Sequence, residues 1–288
     1  MPEVSILMPI YKTTEAYLRE AIESILNQTF TDFEFLILDD CPEDSRESIV
    51  KSYQDNRIKY MKNKENLGIS QSRNKLIECA KGEYLAIFDH DDISLPQRLE
   101  KEVSYLKKNF EVGVCGSWCM YIPRGEIIKF PKDDYEIKKL LMRECSIAHS
   151  SVMIRKSILT ENKLCYEEEY TPSEDLRLFL KLIKVTSFHN IQEVLLKYRQ
   201  YDKNTSFLQK TKMDKVTNRL RSMAEIQYPF LYQSYIKDRT KLKKILLLGF
   251  LPILTLRQDR HTSTILLFNV IPLVIVKNKI LPWIKYNQ

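Results

Sequence analysis

Three carboxylates follow a short apolar run at Tyr84–Asp92, which reads Tyr-Leu-Ala-Ile-Phe-Asp-His-Asp-Asp. The run is short enough for a buried strand, so Asp89, Asp91 and Asp92 would follow its C-terminal end, where open α/β sheets bind their ligands. Carboxylates this close repel one another unless a cation neutralises them. The arrangement therefore predicts a hard divalent ion such as Mg²⁺ or Mn²⁺ that is shared with a diphosphate. The simpler alternative is an acidic turn that caps a helix beginning near Pro96.

A second acidic pair follows another predicted strand. Phe33–Leu38 is apolar except for Glu34, and Asp39 and Asp40 come directly after it. Parallel strands end on one edge of a sheet, so this pair and the later carboxylates are expected to face one cleft. A carboxylate here suits a hydrogen bond to a base N–H or a ribose hydroxyl, although Asp40 more often caps the turn that follows it. The two acidic groups together predict a nucleotide-diphosphate site. Neither GxGxxG nor GxxxxGK occurs, which disfavours dinucleotide-binding and P-loop enzymes.

Strands and helices alternate in the part of the chain that carries these groups. The predicted strands are Val4–Ile10, Phe33–Leu38, Ile58–Met61 and Tyr84–Phe88, and the predicted helices run from Thr13 or Thr14 to Leu26, over Ser45–Tyr53 and over Ser70–Ala80. This alternation predicts an α/β fold with a Rossmann-like, mostly parallel sheet flanked by helices. Further along we predict helices over 96–109, over 135–143 and from residue 173, and strands over 112–120, 127–130, 149–154 and 194–199.

Seven short motifs keep the order and spacing of a known family. They are Val4-Ser-Ile-Leu-Met-Pro-Ile-Tyr11, Ile22-Glu-Ser-Ile-Leu-Asn-Gln-Thr29, Phe33-Glu-Phe-Leu-Ile-Leu-Asp-Asp40, Asn66-Leu-Gly-Ile69, Ser72-Arg-Asn74, Lys81-Gly-Glu-Tyr84 and Phe88-Asp-His-Asp-Asp-Ile93. The series resembles the family 2 glycosyltransferases, which have the GT-A fold.

The resemblance implies a set of donor-binding residues. Those expected to bind the nucleotide-sugar are Pro9, Tyr11, Asp39, Arg73, Asp89 and Arg199. The implied metal ligands are Asp91 and Asp92, and the sequence leaves open which of the two binds Mn²⁺ or Mg²⁺. His90 lies between them and is expected to support the site rather than to bind the metal. Many relatives carry a histidine three residues after Tyr198, where this chain has Tyr201, so an extra ligand from that loop is in doubt.

A third acidic stretch begins the helix predicted from Ser173. Carboxylates in a first turn are favoured by the helix dipole, which by itself would account for Glu174 and Asp175. The resembled family places its catalytic base in such a pair, because inverting transfer needs a carboxylate to take the proton of the acceptor hydroxyl. The resemblance therefore implies Asp175 as the base, with Glu174 orienting the acceptor. His149 is expected near the acceptor, and an ordinary loop histidine is the alternative.

The charge of the chain is concentrated at its C-terminal end. Residues 237–288 hold ten Lys or Arg and two Asp, a net +8, and the rest of the chain carries −1. Two similar segments, 244–257 and 264–277, each contain an apolar run of 12 residues with a proline and basic flanks, shorter than the roughly 20 residues that span a bilayer. We predict contact with an anionic membrane surface, with a hairpin docked on the catalytic domain as the alternative. Few stacking residues argue against nucleic acid as a partner.

These observations predict a catalytic domain over 1–207, with a nucleotide-sugar half (1–110) and an acceptor half (111–207), and a membrane-associating extension over 208–288. The expected enzyme is an inverting, metal-dependent glycosyltransferase. It would move a sugar from a nucleotide-sugar, expected to be a UDP-sugar, to a lipid-linked saccharide of a surface polysaccharide or lipooligosaccharide. The alternatives are a nucleotidyltransferase, for which the basic glycine-rich loop is missing, and a non-catalytic membrane adaptor.

The six cysteines show no metal-binding spacing, and no secretory signal begins the sequence. We therefore expect buried free thiols and a cytoplasmic protein, peripheral on the inner face of the cytoplasmic membrane.

Overall fold

A computed structural model describes residues 1–202 and 204–240 and the backbone of four short segments, 256–258, 263–266, 272–276 and 279–282. The chain divides into two compact units, Met1–Tyr228 and Pro229–Gln288. The first unit extends beyond the boundary that we expected after residue 207. It includes the following helix because the Ser173 and Thr217 hydroxyls lie 2.8 Å apart and the Tyr228 hydroxyl donates to the carbonyl of Leu180.

One nine-stranded sheet organises the described residues of the first unit. Its strands are β1 (Val4–Ile10), β2 (Phe33–Asp39), β3 (Ile58–Lys62), β4 (Tyr84–Ile87), β5 (Ile93–Ser94), β6 (Val112–Ile122), β7 (Glu126–Ile128), β8 (Met153–Arg155) and β9 (Ser187–Arg199). The helices are α1 (Glu15–Leu26), α2 (Glu47–Lys51), α3 (Ile69–Cys79), α4 (Arg98–Lys108), α5 (Asp134–Leu141), α6 (Lys156–Glu161), α7 (Glu174–Leu182), α8 (Thr205–Leu208) and α9 (Lys210–Gln227).

The strand order is β3-β2-β1-β4-β8-β6-β9-β5, with β7 paired to β6. Strands β3, β2, β1 and β4 are parallel, and β8 runs antiparallel to β4. The predicted mostly parallel α/β sheet is therefore confirmed. Ile10 at the end of β1 lies beside Asp39 at the end of β2, and β4 ends on the same edge. This register brings both acidic groups to one edge of the sheet.

Mostly apolar runs form the centre of the sheet, as is typical of parallel strands covered on both faces. All residues of β1, β2 and β4 are buried. The turn before β4 needs a glycine, since a Cβ at Gly82 would lie 2.5 Å from the backbone nitrogen of Ser5. The Gly82 N–H instead donates to the Ser5 hydroxyl at 2.8 Å. This close approach fixes where β4 begins and, with it, the position of the acidic loop.

Several element bounds differ from the predictions. Strand β9 begins at Ser187, seven residues before the predicted start at Val194. The prediction missed this part because polar residues interrupt the apolar pattern of Ser187–Gln192, although the segment pairs with β6. Buried Asn190 satisfies its amide through the carbonyls of Pro131 and Ser146, at 2.8 and 2.9 Å. The segment predicted as a strand over 149–154 begins instead with a 3₁₀ turn at His149–Ser151.

Among its described residues, the second unit contains α10 (Pro229–Thr240) and four antiparallel strands. These are β10 (Leu256–Gln258), β11 (Ser263–Leu266), β12 (Pro272–Val276) and β13 (Lys279–Pro282). Much of the predicted interfacial segments, 244–257 and 264–277, lies outside the described residues. Within the described residues, no helix combines the length and apolar character needed to cross a membrane.

The expectation of buried cysteines is correct for only part of the set. Cys41, Cys115 and Cys119 are buried, whereas the three remaining thiols, Cys79, Cys145 and Cys165, are exposed. All six are free. The prediction of burial is wrong for these three thiols because of where they lie in the fold. Cys79 is the last residue of α3, and Cys145 and Cys165 lie in the loops that follow α5 and α6.

Candidate active site

The acidic loop after β4 gives Asp91 and Asp92 different surroundings. Asp92 is 1% exposed and accepts hydrogen bonds from the Ser150 hydroxyl at 2.6 Å and the Arg199 backbone N–H at 2.9 Å. Burial, and then repulsion from Asp91 and Asp89, raises the pKa of Asp92 well above its ordinary value. Asp92 therefore connects the loop to the end of β9 and to the turn before β8, and Asp91 is the better placed of the two to bind a cation.

Arg73 on α3 connects the acidic loop to α7. Its guanidinium is 6% exposed and donates to Glu174 Oε1 at 2.7 Å and to Asp89 Oδ1 at 3.0 Å. Burial alone would raise the pKa of Asp89, but the positive charge of Arg73 is chiefly responsible for holding it below its ordinary value. Two of the acidic stretches found in the sequence therefore meet at the buried side chain of Arg73.

Asp175 follows Glu174 in α7 and keeps part of its surface exposed. Its Oδ1 accepts the Leu176 backbone N–H at 2.7 Å. Burial, and then repulsion from Glu174, raises the pKa of Asp175 to about 6. A carboxylate with an accessible side and a pKa near neutrality has the properties of a general base.

His149 is a neutral side chain under ordinary conditions. Burial, followed by the nearby charge of Arg73, lowers the pKa of His149 to about 3. Its Nε2 lies 2.8 Å from the Tyr166 hydroxyl, and its ring contacts those of Tyr166 and Phe179 edge-on. His149 is therefore held near Arg73 as an uncharged polar group.

The loop after β2 encloses Asp39. This side chain is fully buried. It accepts hydrogen bonds from the Cys41 and Arg46 backbone N–H groups at 3.0 and 2.7 Å and from the Ser45 and Tyr60 hydroxyls at 3.0 and 2.9 Å. Pro9 is buried in β1, and Tyr11 just beyond it is 41% exposed. These three residues share the sheet edge predicted for the nucleotide, with Tyr11 the most accessible of them.

Asp40 has a positioning role that the sequence did not indicate. We expected it to cap the turn after β2, but its carboxylate accepts the backbone N–H groups of Leu67 and Gly68 at 2.8 and 2.9 Å. Gly68 has a φ of +80°, a conformation that favours glycine. Asn63 also donates to Asp40, at 2.7 Å. Asp40 thereby fixes the start of α3, the helix that carries Arg73.

Arg199 closes the other side of the acidic loop. Its Nε donates to the Asp91 backbone carbonyl at 2.8 Å, its guanidinium pairs with Glu20, and it lies 4.2 Å above the centre of the Tyr17 ring. The guanidinium of Arg199 is therefore already paired with a carboxylate of α1. To bind a diphosphate, Arg199 would have to release Glu20 and pair with phosphate instead.

Tyr201 and Asn204 contact the acidic loop in a way that sequence reasoning missed. The Tyr201 hydroxyl donates to Asp91 Oδ2 at 2.9 Å, and the Asn204 amide lies 3.3 Å from the same oxygen. In the sequence Tyr201 was only the residue in place of a histidine. One feature of the sequence could have indicated this contact. Tyr201 lies two residues after the strand predicted over 194–199, whose end was expected to lie near the acidic loop.

The acidic loop is the place where the sequence predicts a divalent cation shared with a diphosphate. Among the residues that the structure describes, no three His, Cys, Asp or Glu side chains form a complete metal site. Mg²⁺ and Mn²⁺ sites in nucleotide enzymes commonly take one or two carboxylates and complete their shell with phosphate and water. His90 Nδ1 is buried without a hydrogen-bond partner in the described structure and lies 4.0 Å from Asp91 Oδ1. Asp91 is the carboxylate of this loop that would hold such an ion, with phosphate and water supplying the other ligands.

The sheet order and the acidic loop after β4 are those expected of the GT-A class, and comparison with known sequences specifies the family. The family model described as Glycosyl transferase family 2 matches residues 5–161. An uncharacterized glycosyltransferase from Methanocaldococcus jannaschii is 43% identical over 207 residues, 69% of this chain and 71% of that protein. The chain therefore belongs to glycosyltransferase family 2 and is a glycosyltransferase.

Other similar proteins have more informative names. The UDP-Glc:alpha-D-GlcNAc-diphosphoundecaprenol beta-1,3-glucosyltransferase WfgD of Escherichia coli is 28% identical over 181 residues, 63% of this chain and 70% of that protein. S. aureus TarS, solved with UDP-GlcNAc, matches with a TM-score of 0.62 at 17% identity, over 85% of this chain and 76% of that chain. The mannosyltransferase PcManGT of Pyrobaculum calidifontis, solved with GDP-Man and Mn²⁺, matches with a TM-score of 0.57 at 15% identity, over 82% of this chain and 73% of that chain. The structural matches confirm the predicted GT-A fold.

Proposed function

We propose that this glycosyltransferase moves a sugar, with inversion, from a UDP-sugar to a lipid-linked saccharide during synthesis of a surface glycan. The observation that carries the proposal is the buried connection of Asp89, Arg73 and Glu174. It brings the carboxylates after β4, suited to a cation and diphosphate, next to Asp175, suited to proton transfer. Membership of glycosyltransferase family 2 disfavours the nucleotidyltransferase alternative. A non-catalytic adaptor would not require a partly accessible carboxylate whose pKa is raised to about 6, as the pKa of Asp175 is.

Asp175 is the proposed base. As the acceptor oxygen attacks the anomeric carbon, its proton passes to the Asp175 carboxylate, and the bond from the anomeric carbon to the diphosphate oxygen breaks. Glu174, held by Arg73 at 2.7 Å, sets the start of α7 and the orientation of its neighbour. A bound Mn²⁺ or Mg²⁺ would supply a positive charge that stabilises the departing diphosphate.

The donor is assigned to the sheet edge at the ends of β1, β2 and β4. The residues proposed to bind it are Pro9, Tyr11, Asp39, Arg73, Asp89 and Arg199, and Asp91 is preferred to Asp92 as the metal ligand. Asp39 already accepts hydrogen bonds from the loop after β2, and the two terminal nitrogens of Arg73 are paired with Glu174 and Asp89. We therefore propose that both residues shape the donor site largely by ordering its loops. TarS, solved with UDP-GlcNAc, and PcManGT, solved with Mn²⁺, support this class of donor and cofactor.

A test of donor and metal binding measures thermal unfolding with Mn²⁺ and UDP together. A ligand at about 100 times its Kd stabilises the native state by about 2.7 kcal/mol, so we expect Tm to rise by roughly 5–10 °C for a unit of this size. Mn²⁺ alone, or UDP with a chelator, should give a much smaller shift. An equal shift with GDP would contradict the choice of UDP, and the absence of any shift would favour the adaptor.

The acceptor is proposed to be a saccharide on a lipid carrier. WfgD, named for a diphosphoundecaprenol-linked acceptor, supports this choice. His149 is proposed to line the acceptor side as a neutral hydrogen-bonding group beside Tyr166. Such an acceptor is held at a membrane, which is consistent with the basic and apolar composition of 237–288 and with a peripheral position on the inner face of the cytoplasmic membrane.

A vesicle-binding experiment tests the proposed membrane contact. We expect the full chain to sediment with vesicles that contain anionic lipid, and binding to weaken as salt rises, because each basic residue near the surface contributes about 1 kcal/mol. A chain without residues 237–288 should stay in the supernatant. Equal sedimentation of the two chains, or equal binding to neutral vesicles, would show that these residues do not provide the contact.

A further inference from the structure

Two side chains beyond β9 hold the Asp91 carboxylate by the same oxygen. The Tyr201 hydroxyl donates to Oδ2 at 2.9 Å, and the Asn204 amide nitrogen lies 3.3 Å from it. Asp91 itself is 9% exposed. An ionised carboxylate can only accept hydrogen bonds, so both contacts draw electron density toward Oδ2. Oδ1, 4.0 Å from His90 Nδ1, is the oxygen that remains for a cation.

The residues that hold Asp91 are themselves fixed by local contacts. The Tyr201 backbone N–H donates to the Asn204 side-chain oxygen at 2.6 Å, and the Asn204 backbone N–H donates to the Tyr201 carbonyl at 3.1 Å. The Tyr201 ring packs edge-on against Tyr17 of α1, with ring centres 5.3 Å apart. These contacts place both donors at Asp91 before any ligand is bound.

We propose that Tyr201 and Asn204 are positioning residues that restrict Asp91 to binding the cation through Oδ1 alone. A histidine at position 201 would add a ligand, whereas a tyrosine hydroxyl bonded to Asp91 orients the ligand already present. Metal ligands depend strongly on such supporting hydrogen bonds. The protein then supplies few direct ligands, and the diphosphate must supply the others.

A consequence is that cation and nucleoside diphosphate bind interdependently. Each completes the site of the other, so Mn²⁺ should bind tightly only when UDP is present, and UDP only when Mn²⁺ is present. Binding linkage of this kind is reciprocal. The inference rests on the proposed function, because it assumes that Asp91 binds the cation of the donor complex.

The experiment measures Mn²⁺ binding by the electron paramagnetic resonance signal of free Mn²⁺, with and without saturating UDP. Tyr201→Phe removes only the hydroxyl, and we expect it to weaken Mn²⁺ binding in the presence of UDP by about tenfold or more. Asn204 occupies the N-cap position of α8, where serine is also favoured. Asn204→Ser should weaken Mn²⁺ binding less, because the contact of Asn204 with Asp91 is longer. The matched control is Tyr53→Phe, which removes a hydroxyl that donates to Glu23 at 2.9 Å on the surface, and its affinity should equal that of the wild-type protein.

Asp91→Asn separates failure of this inference from failure of the proposed function. If Asp91→Asn binds Mn²⁺ with UDP as the wild-type protein does, the proposed metal site is wrong. If Asp91→Asn abolishes binding while Tyr201→Phe and Asn204→Ser leave it unchanged or tighten it, the positioning role is overturned and the metal site stands. Tight Mn²⁺ binding by the wild-type protein without UDP would contradict the predicted interdependence. Asn204→Ser decides the positioning role if Tyr201→Phe does not fold.

Discussion

Asp175→Asn is expected to lower kcat by about 10²- to 10⁴-fold, which is the contribution of a general base. The amide has the size of the carboxylate but cannot accept the proton of the acceptor hydroxyl. KM for the donor should change little, because Asp175 is proposed to act on the acceptor hydroxyl and not on the donor. The measurement is the initial rate of sugar release at saturating nucleotide-sugar. Asp214→Asn, the same substitution at an exposed position of α9, is the control and should retain the wild-type rate.

The pH dependence of the wild-type rate provides an independent test of the same group. Burial and Glu174 raise the pKa of Asp175 to about 6, and the base acts only when it is ionised. We therefore expect the rate to rise with pH up to about 6, to level off above it, and to fall toward tenfold per pH unit below it. Glu174→Gln removes a neighbouring negative charge and should move this limb to lower pH. A rate that stays constant between about pH 4.5 and 7, an interval that lies above the ordinary aspartate pKa of about 3.9 and includes the raised value, would contradict the assignment.

Arg73→Met is expected to destabilise the protein by about 3–5 kcal/mol, because it leaves Glu174 buried and Asp89 partly buried without their shared cation. Thermal unfolding should shift downward by roughly 10 °C for a unit of this size. The matched control is Arg19→Met, which breaks an exposed pair with Glu15 that contributes about 1 kcal/mol or less.

A second variant identifies the cause of that loss. Adding Glu174→Gln to Arg73→Met replaces the stranded carboxylate by a neutral amide, so part of the lost stability should return. If the double variant is instead destabilised by the sum of the two single effects, the Arg73–Glu174 contact does not couple the two residues. In that case the connection between α3 and α7 would have another origin.

Local sequence patterns were sufficient for the parallel half of the sheet. The strands β1, β2 and β4 are mostly apolar runs followed by acidic or polar turns, and such runs are typical of strands covered on both faces. The positions of Asp39 and Asp89 then follow from topology, because parallel strands end together. Strand β9 was harder, since buried Asn190 and His189 interrupt its apolar pattern and only the pairing with β6 shows that they belong to a strand.

The contacts that distinguish the carboxylates could not be predicted, because they join distant parts of the chain. Asp92 is separated from Arg199 by 107 positions, and Arg73 from Glu174 by 101. The motif contains three aspartates, but it does not show which of them accepts a hydrogen bond from Ser150 and which accepts one from Tyr201. Only the folded arrangement of β8 and β9 around the loop makes Asp91 and Asp92 unequal.

The most direct test of one metal-assisted sugar-transfer site is the release of sugar from a panel of nucleotide-sugars, with Mn²⁺ and with excess chelator. We predict that the wild-type protein consumes at least one UDP-sugar in Mn²⁺, that the chelator stops the reaction, and that Asp175→Asn is slower than Asp214→Asn by the factor given above. Consumption that continues unchanged in chelator and in Asp175→Asn, or a panel in which no nucleotide-sugar is consumed, would contradict it.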